Sequence, residues 1–321
     1  MKLIIQIPCY NEETTLPAAI ADLPRSIDGI DIIEYLIIND GSSDDTARIA
    51  KENGVHHIVN FKCNKGLAYG FMAGIDACLR LGADIIVNTD ADNQYNGSDI
   101  EKLITPILSG EQDIVIGARP IDETEHFSAR KKRLQHIGSW VVRVASGTSV
   151  PDAPSGFRAY TRDAAMRLNV INEYTYTLET IIQAGVNRMA VASVPIRTNP
   201  ETRKSRLFKS MWAYVKRSAT VIIRSFMMYR PLKFFTILGI LTASVGGVFV
   251  LRFVIREIIG PGGGLIQSLV LAAMLIIIGA QAIIAGLQAD LTAANRKILE
   301  DIQYRVKKLE MDGVINRESE K

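Results

Sequence analysis

The chain has 321 residues, 48% of them hydrophobic and 22% charged, with a net charge of +3 at pH 7. That length holds one large α/β domain with an appendage, or two domains, and so small a net charge gives no argument for nucleic acid as a partner. The three cysteines, Cys9, Cys63 and Cys78, form no CxxC pair, which argues for a reduced compartment around the soluble part.

The chain opens MKLIIQIPCYNEE. Its first apolar stretch, 3–7, is too short for the core of a signal peptide and leads to no small-residue cleavage site. Short β-rich runs follow at 3–7, 35–38, 57–60, 85–89 and 114–117, separated for the most part by helical patterns at 13–23, 44–53, 67–81 and 99–108. This alternation predicts an α/β fold, a mostly parallel sheet with helices on both faces. Ser98 and Glu101 have the spacing of a capping box, so NQYNG reads as a loop between a strand and a capped helix.

In such sheets ligands sit beyond the carboxyl ends of the strands. Three polar clusters fall there: IPCYNEE after the first strand, INDGSSDDT after the second, and TDADNQ after the fourth. Each alone is ordinary turn chemistry. Three acidic strand ends gathered on one edge are harder to explain as turns. No GxGxxG follows the first strand, and Gly66, Gly70 and Gly74 lie in a helical pattern that suits close packing, which argues against a nicotinamide enzyme. GxxxxGK[ST], HExxH and GxSxG are absent, and four histidines are few for a histidine-built zinc site. Carboxylates at a strand end suit a hard divalent cation instead. Mg²⁺ or Mn²⁺ is typically held by one or two carboxylates together with substrate phosphates. Asp90 and Asp92 are the candidates, with Gln94 as a further oxygen. A metal there neutralises a departing diphosphate, and Asp40, one strand away, is placed to accept hydrogen bonds from a base or ribose.

The second part of the chain differs in composition. No charged residue occurs in 234–251 or in 265–287, runs of 18 and 23 residues, against the roughly 20 that a helix needs to cross a bilayer core. Lysine and arginine concentrate before the first run and after the second, which predicts a cytoplasmic side for both ends. The stretch 205–230 has apolar residues at helical spacing with basic residues between them, a pattern suited to an anionic membrane surface. The tail reads equally as a solvated helix or as a short self-association helix, and the tail or the spans are where a homo-oligomer would form. The predicted organisation is a catalytic domain, 1–202; juxtamembrane helices, 203–232; two transmembrane helices, 233–288; and a cytoplasmic tail, 289–321.

The motifs IPCYNEE, INDGSSDDT, NKG, TDADNQ, GAR and PSGFRAYTRDA, in this order, resemble family 2 glycosyltransferases of the GT-A fold. Within them the chain is similar to the polyprenyl-phosphate glycosyltransferases, the branch of the dolichyl-phosphate mannose synthases and the bacterial undecaprenyl-phosphate enzymes. The resemblance covers residues 3 to about 210. It implies a Rossmann-like GT-A domain, a UDP- or GDP-sugar donor, a polyprenyl phosphate acceptor, a Mg²⁺ or Mn²⁺ cofactor and a site at the cytoplasmic face of the inner membrane. It implies that Pro8, Tyr10, Glu12 and Asp40 cradle the nucleoside, with Lys65, Asp90, Ala91 and Arg119 completing the donor contacts. Asp90 and Asp92 resemble the DxD pair, with Asp92 and Gln94 as direct metal ligands. Arg119 approaches a phosphate. Asp152, Ser155, Gly156, Phe157 and Arg158 form an acceptor-side loop, and Asp92, Arg119, Asp152 and Arg158 are the expected catalytic set. Arg133, Arg203, Lys204 and Arg206 are the expected acceptor-phosphate cations. Two departures stand out. Asn93 replaces an apolar residue common in relatives, and RTNPETRKSRL differs from the mannose synthases, so mannose is not inferred. Two other readings remain at this point. One is a glycolipid-forming enzyme acting on a lipid hydroxyl, with Asp152 as its base. The other is a non-catalytic sugar-nucleotide-binding domain on a transporter or scaffold.

Overall fold

A computed structural model of the chain describes residues 1–120, 129–171, 175–200, 216, 219–220, 223–224, 226–260 and 266–319, the backbone alone at 129–134, 137 and 314–319. The chain divides into two compact units, Met1–Ile222 with Glu300–Lys321, and Ile223–Leu299.

The first unit is built on a seven-stranded sheet. In chain order its elements are β1 (Lys2–Cys9), α1 (Leu16–Ala21), β2 (Ile32–Asn39), α2 (Thr46–Glu52), β3 (His57–Asn60), α3 (Leu67–Arg80), β4 (Ile85–Asn88), α4 (Ile100–Leu108), β5 (Ile114–Ala118), α5 (Ala129–Ser146), β6 (Arg158–Thr161), α6 (Arg162–Arg167), α7 (Thr177–Val186) and β7 (Val191–Pro195). The strand order is β3-β2-β1-β4-β6-β5-β7. Most pairs are parallel, and β6 runs antiparallel between β4 and β5. Parallel strands covered on both faces read as continuous apolar runs, and β1 is buried on both. Leu3, Ile5 and Ile7 join a core with Leu103, Ile104 and Ile107 of α4. On α3, a Cβ at Gly74 would lie 2.7 Å from Ile38 Cδ1 and 3.0 Å from Gln6 Cδ. This glycine therefore serves helix–sheet packing, as its place in a helical pattern suggests.

The expected capping box is not formed. Asn96, not Ser98, caps the short turn Gly97–Asp99, its Oδ1 accepting from the Ser98 N–H at 3.1 Å. Asp99 precedes α4 but makes no cap bond, because its carboxylate is held by Arg197 and Lys102. A tertiary ion pair has displaced a local capping preference.

The segment from Glu300 on groups with this first unit. Tyr304 donates to Asp163 and lies under the Arg167 guanidinium, 4.0 Å away. Arg80 pairs with Glu310 at 2.8 Å, and Met311 is fully buried. That end of the chain, read from sequence as a solvated or self-associating tail, docks on α3 and α6.

The second unit holds α8 (Pro231–Ile259) and the first part of α9 (Ile266–Ser319). Both are long and apolar enough to cross a membrane, with mean hydropathy 2.2 and 2.5 in their most apolar windows. Small residues set their approach. A Cβ on Gly239 would meet the Gly279 carbonyl oxygen at 2.5 Å, and one on Gly246 the Ala272 oxygen at 2.8 Å, the close backbone contact that glycine permits between apolar helices. Most of the amphipathic pattern at 205–230, with Arg203, Lys204 and Arg206, lies outside the described residues.

Candidate active site

The carboxyl ends of β1, β2 and β4 meet at one edge. Cys9 and Asn39 are register partners, and the Asp40 N–H donates to the Cys9 carbonyl at 2.9 Å. The loops that follow are laced together. The Asn11 N–H donates to Ser42 Oγ at 3.0 Å, the Ser43 N–H to Asn11 Oδ1 at 2.8 Å and the Glu13 N–H to Asp44 at 3.1 Å. Asn11 reaches this geometry at φ 55°, a left-handed conformation that asparagine tolerates better than most residues. Glu12 is buried, with Thr15 Oγ1 donating to its carboxylate at 2.7 Å. Pro8 is half-buried and Tyr10 is 45% exposed.

Asp40, at the tip of β2, also binds a neighbouring loop. Its two carboxylate oxygens accept the Lys65 and Gly66 N–H groups at 2.7 and 2.9 Å. These donors open α3, where a negative charge is favoured. Asp40 thereby also closes the loop before α3, each of its oxygens accepting one backbone N–H. The Lys65 ammonium sits 4.9 Å from the Phe61 ring and 4.6 Å from the Tyr69 ring, a cationic aromatic cluster on the exposed side of that loop.

At the end of β4 a chain of buried amides leads to the paired acids. Gln6 Nε2 donates to Asn88 Oδ1 at 3.0 Å, and Asn88 Nδ2 donates to the Gly156 carbonyl at 2.9 Å and to Tyr176 Oη at 2.8 Å. Ala91 is buried, and Asp92 Oδ1 accepts the Gln94 N–H at 3.2 Å. Asp90 lies against Gly156, where an added Cβ would stand 3.1 Å from both carboxylate oxygens and 3.0 Å from Tyr176 Oη. Burial, then the neighbouring Asp92 charge, push the Asp90 carboxyl up to about 7, against the opposing pull of Arg119 and Arg158. Two carboxylates that resist ionising together are relieved by a shared cation. Among the described residues no three His, Cys, Asp or Glu side chains cluster. The chain thus offers two carboxylates and the Gln94 amide, an all-oxygen donor set that leaves positions for substrate phosphates and fits Mg²⁺ or Mn²⁺.

Arg119, whose charge acts on Asp90, is locked to Asp152. Arg119 Nε and its N–H donate to Asp152 Oδ2 at 2.7 and 3.2 Å, and Nη2 to Oδ1 at 2.9 Å. Asp152 is 1% exposed and Arg119 14%. Burial opposes the Arg119 charge, but Asp152 outweighs it and holds the guanidinium pKa above its usual value. Both oxygens of Asp152, the base of the lipid-hydroxyl reading, are therefore engaged by a cation.

Arg158 requires a correction. It was expected to meet the acceptor, yet its side chain is fully buried. Nε donates to the Ser155 carbonyl, Nη2 to the Ala153 carbonyl and Nη1 to Thr180 Oγ1, at 2.8, 2.8 and 2.7 Å. Its place is behind the 153–156 loop, which it shapes. Ser155 Oγ is buried and finds no hydrogen-bond partner among the described residues, and the Gly156 N–H donates to Tyr95 Oη at 3.0 Å. Arg133 lies within α5, with only its backbone described. Tyr95, Tyr176 and Asn88 were not singled out from sequence. A polar residue closing a buried strand, as Asn88 does, was the available signal.

Comparison with known proteins bears on this site. Residues 4–168 match the model of glycosyl transferase family 2. The chain is 31% identical over 218 residues to a UDP-N-acetylglucosamine–dolichyl-phosphate N-acetylglucosaminyltransferase of Methanococcus voltae, covering 60% of this chain and 83% of that one. It is 26% identical to the polyprenol monophosphomannose synthase of Mycolicibacterium smegmatis, covering 61% and 76%. A match to the low-salt glycan biosynthesis hexosyltransferase Agl6 of Haloferax volcanii extends over 82% of this chain and 64% of that protein at 28% identity. Among solved structures, glucosyl-3-phosphoglycerate synthase of Mycobacterium tuberculosis, in complex with Mn²⁺, UDP and glucosyl-3-phosphoglycerate, superposes with a TM-score of 0.54 at 20% identity, covering 70% of this chain and 78% of that one. At that identity the likeness speaks for the fold.

Proposed function

Because this chain belongs to glycosyl transferase family 2, we propose that it moves a sugar from a UDP- or GDP-sugar to a polyprenyl phosphate at the cytoplasmic face of a membrane. The observation that carries this reading is an acid pair, Asp90 and Asp92, just beyond the end of β4, with the Asp152-bound guanidinium of Arg119 near enough to pull on the Asp90 carboxyl, in a chain that also has two helices of membrane-spanning length. Relatives whose names specify dolichyl or polyprenyl phosphate support the acceptor class.

The donor diphosphate belongs beside Asp90, Asp92 and Gln94, which would hold Mg²⁺ or Mn²⁺. When bound, that cation neutralises the diphosphate and eases its departure. Arg119, oriented by Asp152 through Nε and Nη2, turns its remaining in-plane N–H groups toward phosphate oxygens. The 153–156 loop, braced by Arg158, borders the anomeric carbon. A lipid phosphate monoester has a second pKa near about 6, so its oxygen attacks already charged. One bond forms, from that oxygen to the anomeric carbon. One bond breaks, from the anomeric carbon to the donor phosphate, and the nucleoside diphosphate leaves with the electron pair. No proton has to be removed, in keeping with an Asp152 whose oxygens are taken by Arg119. Single displacement inverts the anomeric centre. An acceptor hydroxyl, by contrast, would need a base. The cations of the 203–206 segment are proposed to draw the acceptor phosphate to the site.

The test is turnover of purified protein in detergent with undecaprenyl or dolichyl phosphate, a panel of UDP- and GDP-sugars, and Mn²⁺, Mg²⁺ or chelator. A lipid-linked sugar formed only with metal and lost in Asp92→Ala is expected. Metal-dependent donor binding without lipid glycosylation would overturn the acceptor assignment.

A further inference from the structure

The loop that carries Asp92 and Gln94 does not stand by itself. Three parts of the chain, distant in sequence, converge on it: the end of α1 at Asp22, the short turn before α4, and the exit of β7 at 197–199. Asn199 is the hub. Its Nδ2 faces the Asn93 carbonyl at 3.1 Å, Asn93 Oδ1 at 3.4 Å, the Tyr95 carbonyl at 3.4 Å and Asp22 Oδ2 at 3.4 Å. Two of these are backbone carbonyls and one is a carboxylate, groups that only accept, so the side chain acts as a donor. The Asn199 N–H also donates to the Gln94 carbonyl at 2.8 Å, and Asn199 Oδ1 accepts from Asn96 Nδ2 at 3.3 Å. The surroundings reinforce this hub. Asp22 accepts the Gly97 N–H at 2.6 Å, Thr198 bridges to Tyr95, and Arg197 binds the fully buried Asp99 through its N–H at 2.6 Å and Nη2 at 2.7 Å.

We propose that Asn199 is the positioning residue of the metal-binding loop, fixing the backbone on both sides of Gln94 so that Asp92 and Gln94 face one cation. It touches neither cation nor substrate; it acts through the 93–95 backbone. Asn93 adopts φ 56°, a conformation that is uncommon for a residue with a side chain and that the Asn199 bonds hold in place. Asn93 itself joins the hub through its Oδ1. The inference rests on the metal reading given above.

The test is Mn²⁺ alone, titrated into the full-length protein in detergent and followed by electron paramagnetic resonance, with melting temperatures measured in parallel. Wild type, Asn199→Ala, Asn199→Asp and Asp92→Ala are compared. Partners that orient metal ligands typically account for about 10–100-fold in affinity, so Asn199→Ala should weaken Mn²⁺ binding about tenfold. Asn199→Asp should weaken it more, because it turns a carboxylate toward two carbonyls and the Asp22 carboxylate. A space-filling role predicts the reverse order, since aspartate is the closer isostere. Wild-type affinity in both Asn199 variants, with binding lost in Asp92→Ala, would overturn this inference and leave the metal reading standing. If Asn199→Asp does not fold, wild-type affinity in Asn199→Ala suffices to overturn it. Mn²⁺ binding by wild type that Asp92→Ala does not change would remove the metal reading, and this role of Asn199 with it.

Discussion

Replacing Asp152 with asparagine asks whether this carboxylate removes a proton or seats Arg119. The pair is shielded, at 1% and 14% exposure, so the substitution removes one charge where water barely reaches. Breaking one side of a buried ion pair costs about 3–5 kcal/mol. Asparagine keeps one acceptor oxygen for the guanidinium, which places the expectation at the lower end, about 3 kcal/mol. In a domain of about 150–250 residues each kcal/mol moves the melting temperature by about 2–4 °C, so Asp152→Asn should melt about 6–12 °C below wild type. Intrinsic fluorescence in detergent reads this out. Well below the melting transition and at saturating substrates, kcat should fall by less than about tenfold, with an unchanged pH profile, whereas a general base contributes about 10²–10⁴-fold. A loss of kcat of that size, with the melting temperature unmoved and the acidic limb of the profile abolished, would refute this reasoning and favour a hydroxyl acceptor.

Gly156→Ala places a methyl 3.1 Å from both Asp90 oxygens, so the carboxylate must shift by a few tenths of an ångström. Mn²⁺ affinity, measured by isothermal titration, should drop by roughly tenfold, with the fold retained by circular dichroism. The raised Asp90 pKa of about 7 carries a pH signature. In the unfolded chain the same group ionises near about 4, so its protonated form stabilises the metal-free protein at low pH, and that contribution is lost as pH rises from about 4 through about 7. Mn²⁺ requires the ionised pair, so the rise in melting temperature that it produces should be larger at pH 8 than at pH 6; an equal rise at both would count against the assignment. Between the two apolar helices, Gly279→Leu inserts a side chain where even a Cβ meets the Gly239 oxygen at 2.6 Å. It should lower the temperature of irreversible inactivation in detergent, while Gly247→Leu, at a position open to space, should not.

The fold was legible where one signal dominated. β1, β2, β3, β4 and β5 are apolar runs between turn residues, and their alternation with helical patterns was enough to place the ends of β1, β2 and β4 on one edge. β6 was hidden. Four residues with an arginine at their head, Arg158–Thr161, look like a loop of functional residues, because a charged side chain in a central strand is expensive unless paired. Here two carbonyls and a threonine satisfy it, which no local pattern reveals. The same holds for Ser98 and Glu101, whose capping pattern yields to the Asp99–Arg197 pair. Burial opposes the Asp99 charge, yet Arg197 and Lys102 bring its carboxyl down to about 2, and that partner lies 98 residues away. The acid pair was readable as a short motif. Of the parts that hold it, Gly156 was legible as part of the acceptor-side loop, while Asn88, Tyr176 and Asn199 are assembled by strand order and were not readable as a site.

The most direct test of the central claim is the structure of the product made from undecaprenyl phosphate and an α-linked nucleotide-sugar, determined by ³¹P and ¹H NMR. Transfer to a lipid phosphate predicts a phosphodiester signal coupled to the anomeric proton of a β-linked sugar. A product with no phosphorus bonded to the sugar would contradict the acceptor assignment, and an α-linked phosphodiester would contradict the single displacement.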